Sequence, residues 1–271
     1  MVINIVKADL HIHSTCSDGS DTIARIIDTA KQKGLDAIAI TDHDTLSHLH
    51  QIPVEAGIKV FGGVEISAIH LETKTKTHIL AYNIKKTEML NGILLMTLLF
   101  RSRNSEKQIE ILRREGFEID KNKLAMADGK VIYKQHIMEW LVSTGQVPDM
   151  FGDFYQRTFK NGGLCDFDIS YPDVFETLKA VKKAGGIAVL AHPGQQQNFR
   201  LLPMLKPYGL DGVELNHPAN SEKDMKVIRN YAKEHGLFLT GGSDYHGKYE
   251  NKSAAIGDYL SDESGVRAIC Q

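Results

Sequence analysis

The chain has 271 residues, 42% of them hydrophobic and 24% charged, with 23 Gly and 7 Pro, a mixture that excludes a disordered, collagen-like or disulfide-scaffold protein. Lys and Arg number 32 against 34 Asp and Glu, a net charge of −2, so no basic field argues for bulk nucleic-acid binding. The longest apolar run, Gly92 to Phe100, is too short to span a bilayer, and three widely spaced cysteines (Cys16, Cys165, Cys270) argue against a disulfide framework and a CxxC metal site.

Taken in chain order, short apolar runs alternate with helical patterns. The opening segment MVINIVKADLHIH shows no secretory h-region or small-residue cleavage site, and it reads as the start of a cytoplasmic protein. Val6 to Ile12 reads as a strand. Ser20 or Thr22 can cap a helix carrying Ile23, Ile26, Ile27 and Ala30, which Gly34 ends. Leu35 to Ile40 is a second buried strand, running into Thr41-Asp42-His43-Asp44 and a short helix. Lys59 to Ile66 and His78 to Ile84 are two further strands. From Glu88 to Asp168 the rhythm breaks into helices only: Met89 to Gly116, Gln135 to Gly145 and Met150 to Lys160. A helix from Pro172 to Ala184 and a strand Ile187 to Leu190 resume the alternation. Then come a helical stretch near Phe199 to Lys206, a strand Asp211 to Leu215, a helix Ser221 to His235 and a strand Leu237 to Thr240. Alternation of this kind predicts an α/β chain with a mostly parallel sheet. Seven strands suggest a closed or nearly closed barrel in two parts, residues 1–87 and 169–271, with a helical insertion at 88–168 roofing the pocket.

Twelve histidines are many for this length, and their placement carries the chemistry. His11, His13 and Asp18 follow the first strand, and His43 follows the second. Glu65 and His78 lie on or near the third and fourth. His192 follows the Ile187 strand, and Asp244 and His246 follow the last. Residues i and i+2 of a strand point the same way, so His11-Ile12-His13 can grip one ion, and so can Asp244-Tyr245-His246. Imidazole with carboxylate suits Mn, Fe or Zn. Each piece alone has a bland explanation: Asp42 or Asp44 can cap a helix, Asp18-Gly19 and His192-Pro193 can be turns, and a lone HxH is weak. Nine such residues at one rim of one barrel favour a metal or catalytic site. Cys16 lies nearby but reads as a packing residue. His48, His50, His70 and His235 read as surface residues, and Trp140 and Phe154 as core of the insertion.

The motifs DLHIHSTCSDG, ITDHDT, GGVEIS, THILAYNI, LAHPG and GSDYHG resemble, in order, those of the polymerase and histidinol phosphatase (PHP) family of metal-dependent phosphoesterases. The helical insertion and GSDYHG resemble its subgroup of nucleoside 3′,5′-bisphosphate phosphatases, some members of which trim RNA from the 5′ end. The resemblance implies a distorted (β/α)7 barrel holding two or three divalent ions. His11, His13, Glu65 and Asp244 would hold the first. Glu65, with His78 and His192, would hold the second, and Asp18, His43 and His246 the third. Three divalent ions against three carboxylates leave the site positive, which suits a phosphate monoester dianion. Two ions about 3.5–4 Å apart can share a hydroxide that attacks phosphorus in line. The expected substrate is a small phosphorylated nucleotide, losing its 3′-phosphate. A short RNA 5′ end is the polymeric alternative, and neither a membrane nor an obligate protein partner is expected. Arg101, Arg103, Lys134 and His136 are candidates to meet a second phosphate. Lys134-Gln135-His136 stands where the subgroup often has Arg-Pro-His. His217 is a candidate proton donor or substrate contact. Rival readings are histidinol phosphatase, a C–N hydrolase of amidohydrolase type, and a non-catalytic metal or nucleotide sensor.

Overall fold

The computed structural model describes residues 6–128, 131–249 and 254–270. Seven strands form one sheet in chain order: β1 (Ala8–Ile12), β2 (Ala37–Ile40), β3 (Lys59–His70), β4 (Thr75–Tyr82), β5 (Ile187–Leu190), β6 (Gly212–Asn216) and β7 (Phe238–Gly241). Its two edges meet. The His13 N–H donates to the Tyr245 carbonyl (2.9 Å) and the Asp244 N–H to the His11 carbonyl (2.8 Å), with Ile12 and Tyr245 bridged in parallel. The sheet is a nearly closed barrel of mixed direction.

Strand β4 runs antiparallel to both β3 and β5, whereas the other pairs are parallel. The sheet is thus mostly parallel, as the strand–helix alternation predicts, with a reversal at β4. β3 continues to His70, and the turn 71–74 that follows is too short for a parallel crossover, which takes about a dozen residues. A hairpin is the only connection those few residues allow.

The helices form where the apolar spacing and caps put them. Helix α1 (Ile23–Gln32) starts at Thr22, whose hydroxyl accepts from the Arg25 N–H at 3.4 Å. Its buried stripe of Ile23, Ile26, Ile27 and Ala30 packs with Ile38 and Ile40 of β2. Each buried isoleucine there contributes about 1.5–3 kcal/mol relative to exposure. The alternate residues Ala37 and Ala39 join Leu10, Leu80, Tyr82 and Val189 from other strands. Between β4 and β5, α2 (Asn91–Arg114), α3 (Lys134–Ser143) and α4 (Asp153–Phe159) gather Ile109, Leu112, Ile137, Leu141, Phe154 and Phe159 into their own apolar cluster. Trp140 packs at its edge and donates through Nε1 to the Glu118 carbonyl at 2.7 Å. Then come α5 (Val174–Lys183), capped by Asp173, and the short α6 (Pro193–Gln196) and α7 (Leu202–Leu205). Helix α8 (Glu222–His235) begins on a Ser221–Asp224 capping box and ends at Gly236 in the left-handed region (φ +63). Helix α9 (Glu263–Cys270), which the sequence reading lacked, adds Val266 and Ile269 to the Leu10–Tyr82 cluster. No described helix is long and apolar enough to cross a membrane.

Candidate active site

At one rim of the barrel the strand ends bring nine of the sequence-selected side chains together. The Nε2 atoms of His11 and His13 are 3.1 Å apart. His11 Nε2 lies 3.2 Å from Glu65 Oε2 and 3.4 Å from Asp244 Oδ1, and His13 Nε2 lies 3.2 Å from each. Five of the six edges of a tetrahedron are thus 3.1–3.4 Å long. The centre of such a figure is about 2.0 Å from each corner, the bond length of Zn or a similar ion to N and O ligands. Glu65 has a second oxygen for a second group: Oε1 is 2.7 Å from His78 Nδ1 and 2.6 Å from His192 Nε2. Asp18, His43 and His246 cluster beside His13, with Asp18 Oδ1 3.5 Å from His246 Nε2 and 3.7 Å from His13 Nδ1. His43 Nδ1 also lies 3.2 Å from Glu65 Oε2, between the groups.

The backbone around these residues is tight. His192 (φ 25), Asp244 (φ 53) and Asp44 (φ 57) hold positive φ without being glycine, a strain that concentrates at functional sites. A Cβ at Gly19 would stand 2.5 Å from the His13 carbonyl oxygen, so the turn carrying Asp18 needs a glycine there.

The chemistry of the donors fits divalent cations. His13 Nδ1, Asp18 Oδ1, His43 Nδ1, Glu65 Oε2 and Asp244 Oδ1 are buried without a hydrogen-bond partner, a cost that a bound cation removes. Burial alone would raise the three carboxyls, but the surrounding imidazoles outweigh it. His43 and His78 hold Glu65 well below the ordinary range, His246 and His43 do so for Asp18, and His11 and His246 for Asp244. Burial pushes His43 down to about 4, so its ring is neutral and ready to ligate at neutral pH. His11 is raised despite burial, by Glu214, Glu65 and Asp244.

Glu214 was missed by sequence reasoning, since a single carboxylate inside the strand GVELN carries no motif. Its Oε1 accepts from His11 Nδ1 (3.0 Å) and its Oε2 from the His192 N–H (2.8 Å). The first bond fixes the His11 tautomer, leaving Nε2 to face the tetrahedron. With both oxygens so engaged, Glu214 orients ligands rather than acting as one. Asp42, which the sequence offered as a helix cap, has another part. It does not cap a helix but accepts from the Ser14 N–H (2.8 Å), Ser14 Oγ (2.7 Å) and Ser17 Oγ (2.6 Å), bracing the loop that carries Asp18. Asp44 accepts from the Ser67 N–H (2.8 Å) and pairs with Arg101 (2.6 Å).

The candidates outside the cluster divide. A cavity of about 430 Å³ lies over the histidines and is lined also by Gln135, Phe151, His217 and Tyr249. A second, of about 250 Å³, adjoins it through Asp18, His43, His78 and Gln135, and is lined by Arg101, Tyr133, Lys134 and Lys160. Arg103 is exposed and lines neither. Two residues along α2 from Arg101 is about 200° around the helix, so the two side chains cannot share a face. His136 lines neither cavity; its Nδ1 accepts from the Tyr133 N–H (3.2 Å) in the capping box of α3. His48 and His70, read as surface, are buried. His48 Nδ1 meets Asp42 at 3.1 Å, and His70 Nδ1 meets Thr73 Oγ1 at 2.8 Å in the β3–β4 turn.

A nearly closed seven-stranded barrel with a His and carboxylate cluster at its rim defines a metal-dependent phosphoesterase. The chain belongs to the PHP domain family, whose sequence model matches residues 9–189. It is 40% identical over 248 residues to the phosphoribosyl 1,2-cyclic phosphate 1,2-diphosphodiesterase of Eggerthella lenta, covering 89% of this chain and 94% of that one. To the 3′,5′-nucleoside bisphosphate phosphatase of Chromobacterium violaceum it is 29% identical over 261 residues, covering 89% and 88%. The crystal structure of a candidate metal-dependent phosphoesterase from Bifidobacterium adolescentis superposes with a TM-score of 0.87 at 29% identity, over 97% of this chain and 94% of that one. The protein is a phosphoesterase of this family, with groups of His, Asp and Glu that could hold metal ions.

A first prediction follows from Glu214. Glu214→Gln should weaken metal affinity by about 10- to 100-fold, as loss of an orienting partner commonly does. Competition against a chelating dye measures it, and wild-type affinity in the variant would show that His11 is oriented by something else.

Proposed function

We propose that the protein removes one phosphate from a small bisphosphorylated nucleotide, with the 3′-phosphate of a nucleoside 3′,5′-bisphosphate as the leading substrate. The observation that carries this reading is the pair of adjoining cavities, one over the candidate metal ligands and one lined by cations. In this reading His11, His13, Glu65 and Asp244 hold one ion, Glu65, His78 and His192 a second, and Asp18, His43 and His246 a third, each Mn, Fe or Zn. When bound, such ions acidify water and draw charge from the phosphoryl oxygens. The chain's own residues do the rest. The tight first cluster and its Glu214 and Asp42 braces hold the reacting phosphate in one orientation. His217 donates a hydrogen bond from Nε2 to the departing ribose oxygen, which takes its proton from solvent.

The second phosphate rests on Lys134. This ammonium is largely buried and has no ion-pair or hydrogen-bond partner among the described residues. Burial lowers its pKa, Lys160 and Lys76 add to that, and Asp168 and Asp166 oppose it, with Asp168 paired to Lys76 at 2.7 Å; an anion brought between Lys134 and Lys160 would offset desolvation and repulsion. Arg101 lines the same cavity, but its guanidinium is engaged by Asp44 and stacks 4.7 Å over the Tyr133 ring. It is therefore a wall of the cavity more than a free anion receptor.

A second reading is hydrolysis of a cyclic phosphodiester on a phosphorylated ribose, supported by the 40% identical relative of that name. Both substrates are riboses carrying one reacting phosphoester and one further phosphate, and both use Lys134 alike. A kinetic screen with Mn²⁺ tests the reading. Adenosine 3′,5′-bisphosphate, a 5-phosphoribosyl 1,2-cyclic phosphate and p-nitrophenyl phosphate are compared. A charge-assisted contact to the second phosphate should favour a bisphosphorylated ribose by about 10- to 100-fold in kcat/KM. Equal rates on p-nitrophenyl phosphate would remove the nucleotide claim.

Lys134→Ala should raise KM for the bisphosphate by about the same 10- to 100-fold and leave p-nitrophenyl phosphate nearly unaffected. Equal effects on both esters would assign Lys134 to structure instead.

A further inference from the structure

The insertion fastens itself to the candidate metal centre at one ligand group out of three. Tyr133 Oη donates to the backbone carbonyl of His43 at 3.2 Å. Gln135 Nε2 donates to Asp18 Oδ2 at 2.9 Å. The Glu139 carboxylate accepts from Lys248 Nζ and Tyr249 Oη, on the turn that leaves His246. Those three contacts fall on the Asp18–His43–His246 group alone. Among the described residues, no hydrogen bond or ion pair joins the insertion to His11, Glu65, His78, His192 or Asp244.

The contacts come from one short element. Gln135 and Glu139 are four residues apart on α3, hence on one face of it. Tyr133 caps the same helix, and His136 Nδ1 secures the Tyr133 N–H. A single helix therefore touches the loop after β1, the loop after β2 and the loop after β7. Its Gln135 also lines both cavities, so the helix stands between the metal cluster and the cationic compartment.

We propose that α3 is a positioning element for the Asp18–His43–His246 group, so that a divalent ion in this outer group and the seating of the insertion over the cavities are thermodynamically linked. Linkage is reciprocal: whatever seats α3 tightens the ion, and the ion in turn holds α3 down. Gln135 and Glu139 are then positioning residues, acting through Asp18 and through the turn after His246, and neither needs to touch substrate. This rests on the reading of Asp18, His43 and His246 as ligands.

The test uses the full chain, Gln135→Leu, Glu139→Ala and the double variant. Metal-free protein is titrated with Mn²⁺, and bound ions per chain are counted after exchange against a graded chelator. Hydrogen exchange of α3 is followed with and without Mn²⁺. The expected result is that one ion weakens by about 10- to 100-fold in each single variant and more in the double, while the other ions keep wild-type affinity. Retention of those tighter ions and an unchanged thermal transition mark the variants as folded. Amides of α3 should gain protection on Mn²⁺ addition in the wild type and lose that gain in the variants. Glu139→Gln, which still accepts from Tyr249, should restore part of it. Wild-type affinity for every ion in the double variant would overturn the proposal while leaving the ligand reading intact. Equal weakening of all ions would also overturn it, since the effect would not be confined to the outer group. A wild-type chain that binds no ion would instead sink the ligand reading itself.

Discussion

Glu65→Gln should cost at least one bound ion per chain and lower kcat/KM by about 10³-fold or more, the loss of several kcal/mol of charge stabilisation. Nothing in the shape of the side chain changes, so the effect isolates charge and lone pairs. Glu65 is buried among five imidazoles: Oε1 lies 2.7 Å from His78 and 2.6 Å from His192, and Oε2 lies 3.2 Å from each of His11, His13 and His43. A carboxylate there serves two groups at once. An amide offers one oxygen, and its NH₂ would direct hydrogens at imidazole lone pairs that ligation requires. Metal analysis and kinetics on the same preparation decide the matter. If the ion count is unchanged while activity falls, Glu65 acts on substrate and bridges nothing. If both are unchanged, the centre as described is wrong.

What the sequence revealed and what it concealed follow one physical division. His11 and His13 were legible because strand geometry puts i and i+2 on one side, whereas Asp244 and His246 lie past the end of β7, Asp244 at φ +53, and fall in separate groups instead of gripping one ion together. The rim position of His43 and His192 followed from strand ends, which apolar runs mark well. Glu214, Asp42 and Gln135 were illegible for the opposite reason. Each does its work through long-range hydrogen bonds, among them those to His11, Ser14 and Asp18, and nothing local in the chain records such partners. The burial of His48 and His70 was concealed likewise, since it depends on what packs over them. The direction of β4 is different. Apolar runs fix where a strand lies but not which way it runs, and only the four-residue turn before Thr75 encoded the reversal. Arg103 misled because residue type was weighed without helical phase, which separates it from Arg101.

His217→Ala should lower kcat on a ribose phosphate by about 10²- to 10³-fold, the usual cost of losing a hydrogen-bond donor to a developing oxyanion, with the ion count unchanged. The reason lies in a tautomer. His217 follows β6 and is buried, and its Nδ1 accepts from the Ala219 N–H at 3.0 Å. An accepting Nδ1 leaves the ring proton on Nε2. That nitrogen lies 3.3 Å from Asp244 Oδ2, beside a cavity whose wall includes Glu65, His192 and Asp244. To ligate through Nε2 the ring would have to carry its proton on Nδ1, donor against donor with Ala219. His217 is therefore suited to donate a hydrogen bond from Nε2, although it stands within reach of His11 and Glu214 as a third donor group. A ribose alkoxide, which takes its proton from solvent, needs that hydrogen bond while its charge develops, whereas p-nitrophenolate spreads its charge over the ring. The loss should accordingly be large for adenosine 3′,5′-bisphosphate and small for p-nitrophenyl phosphate, measured as kcat at saturating substrate and Mn²⁺. Equal losses on the two esters would place His217 in substrate orientation rather than leaving-group stabilisation, and a missing ion would make it a ligand after all.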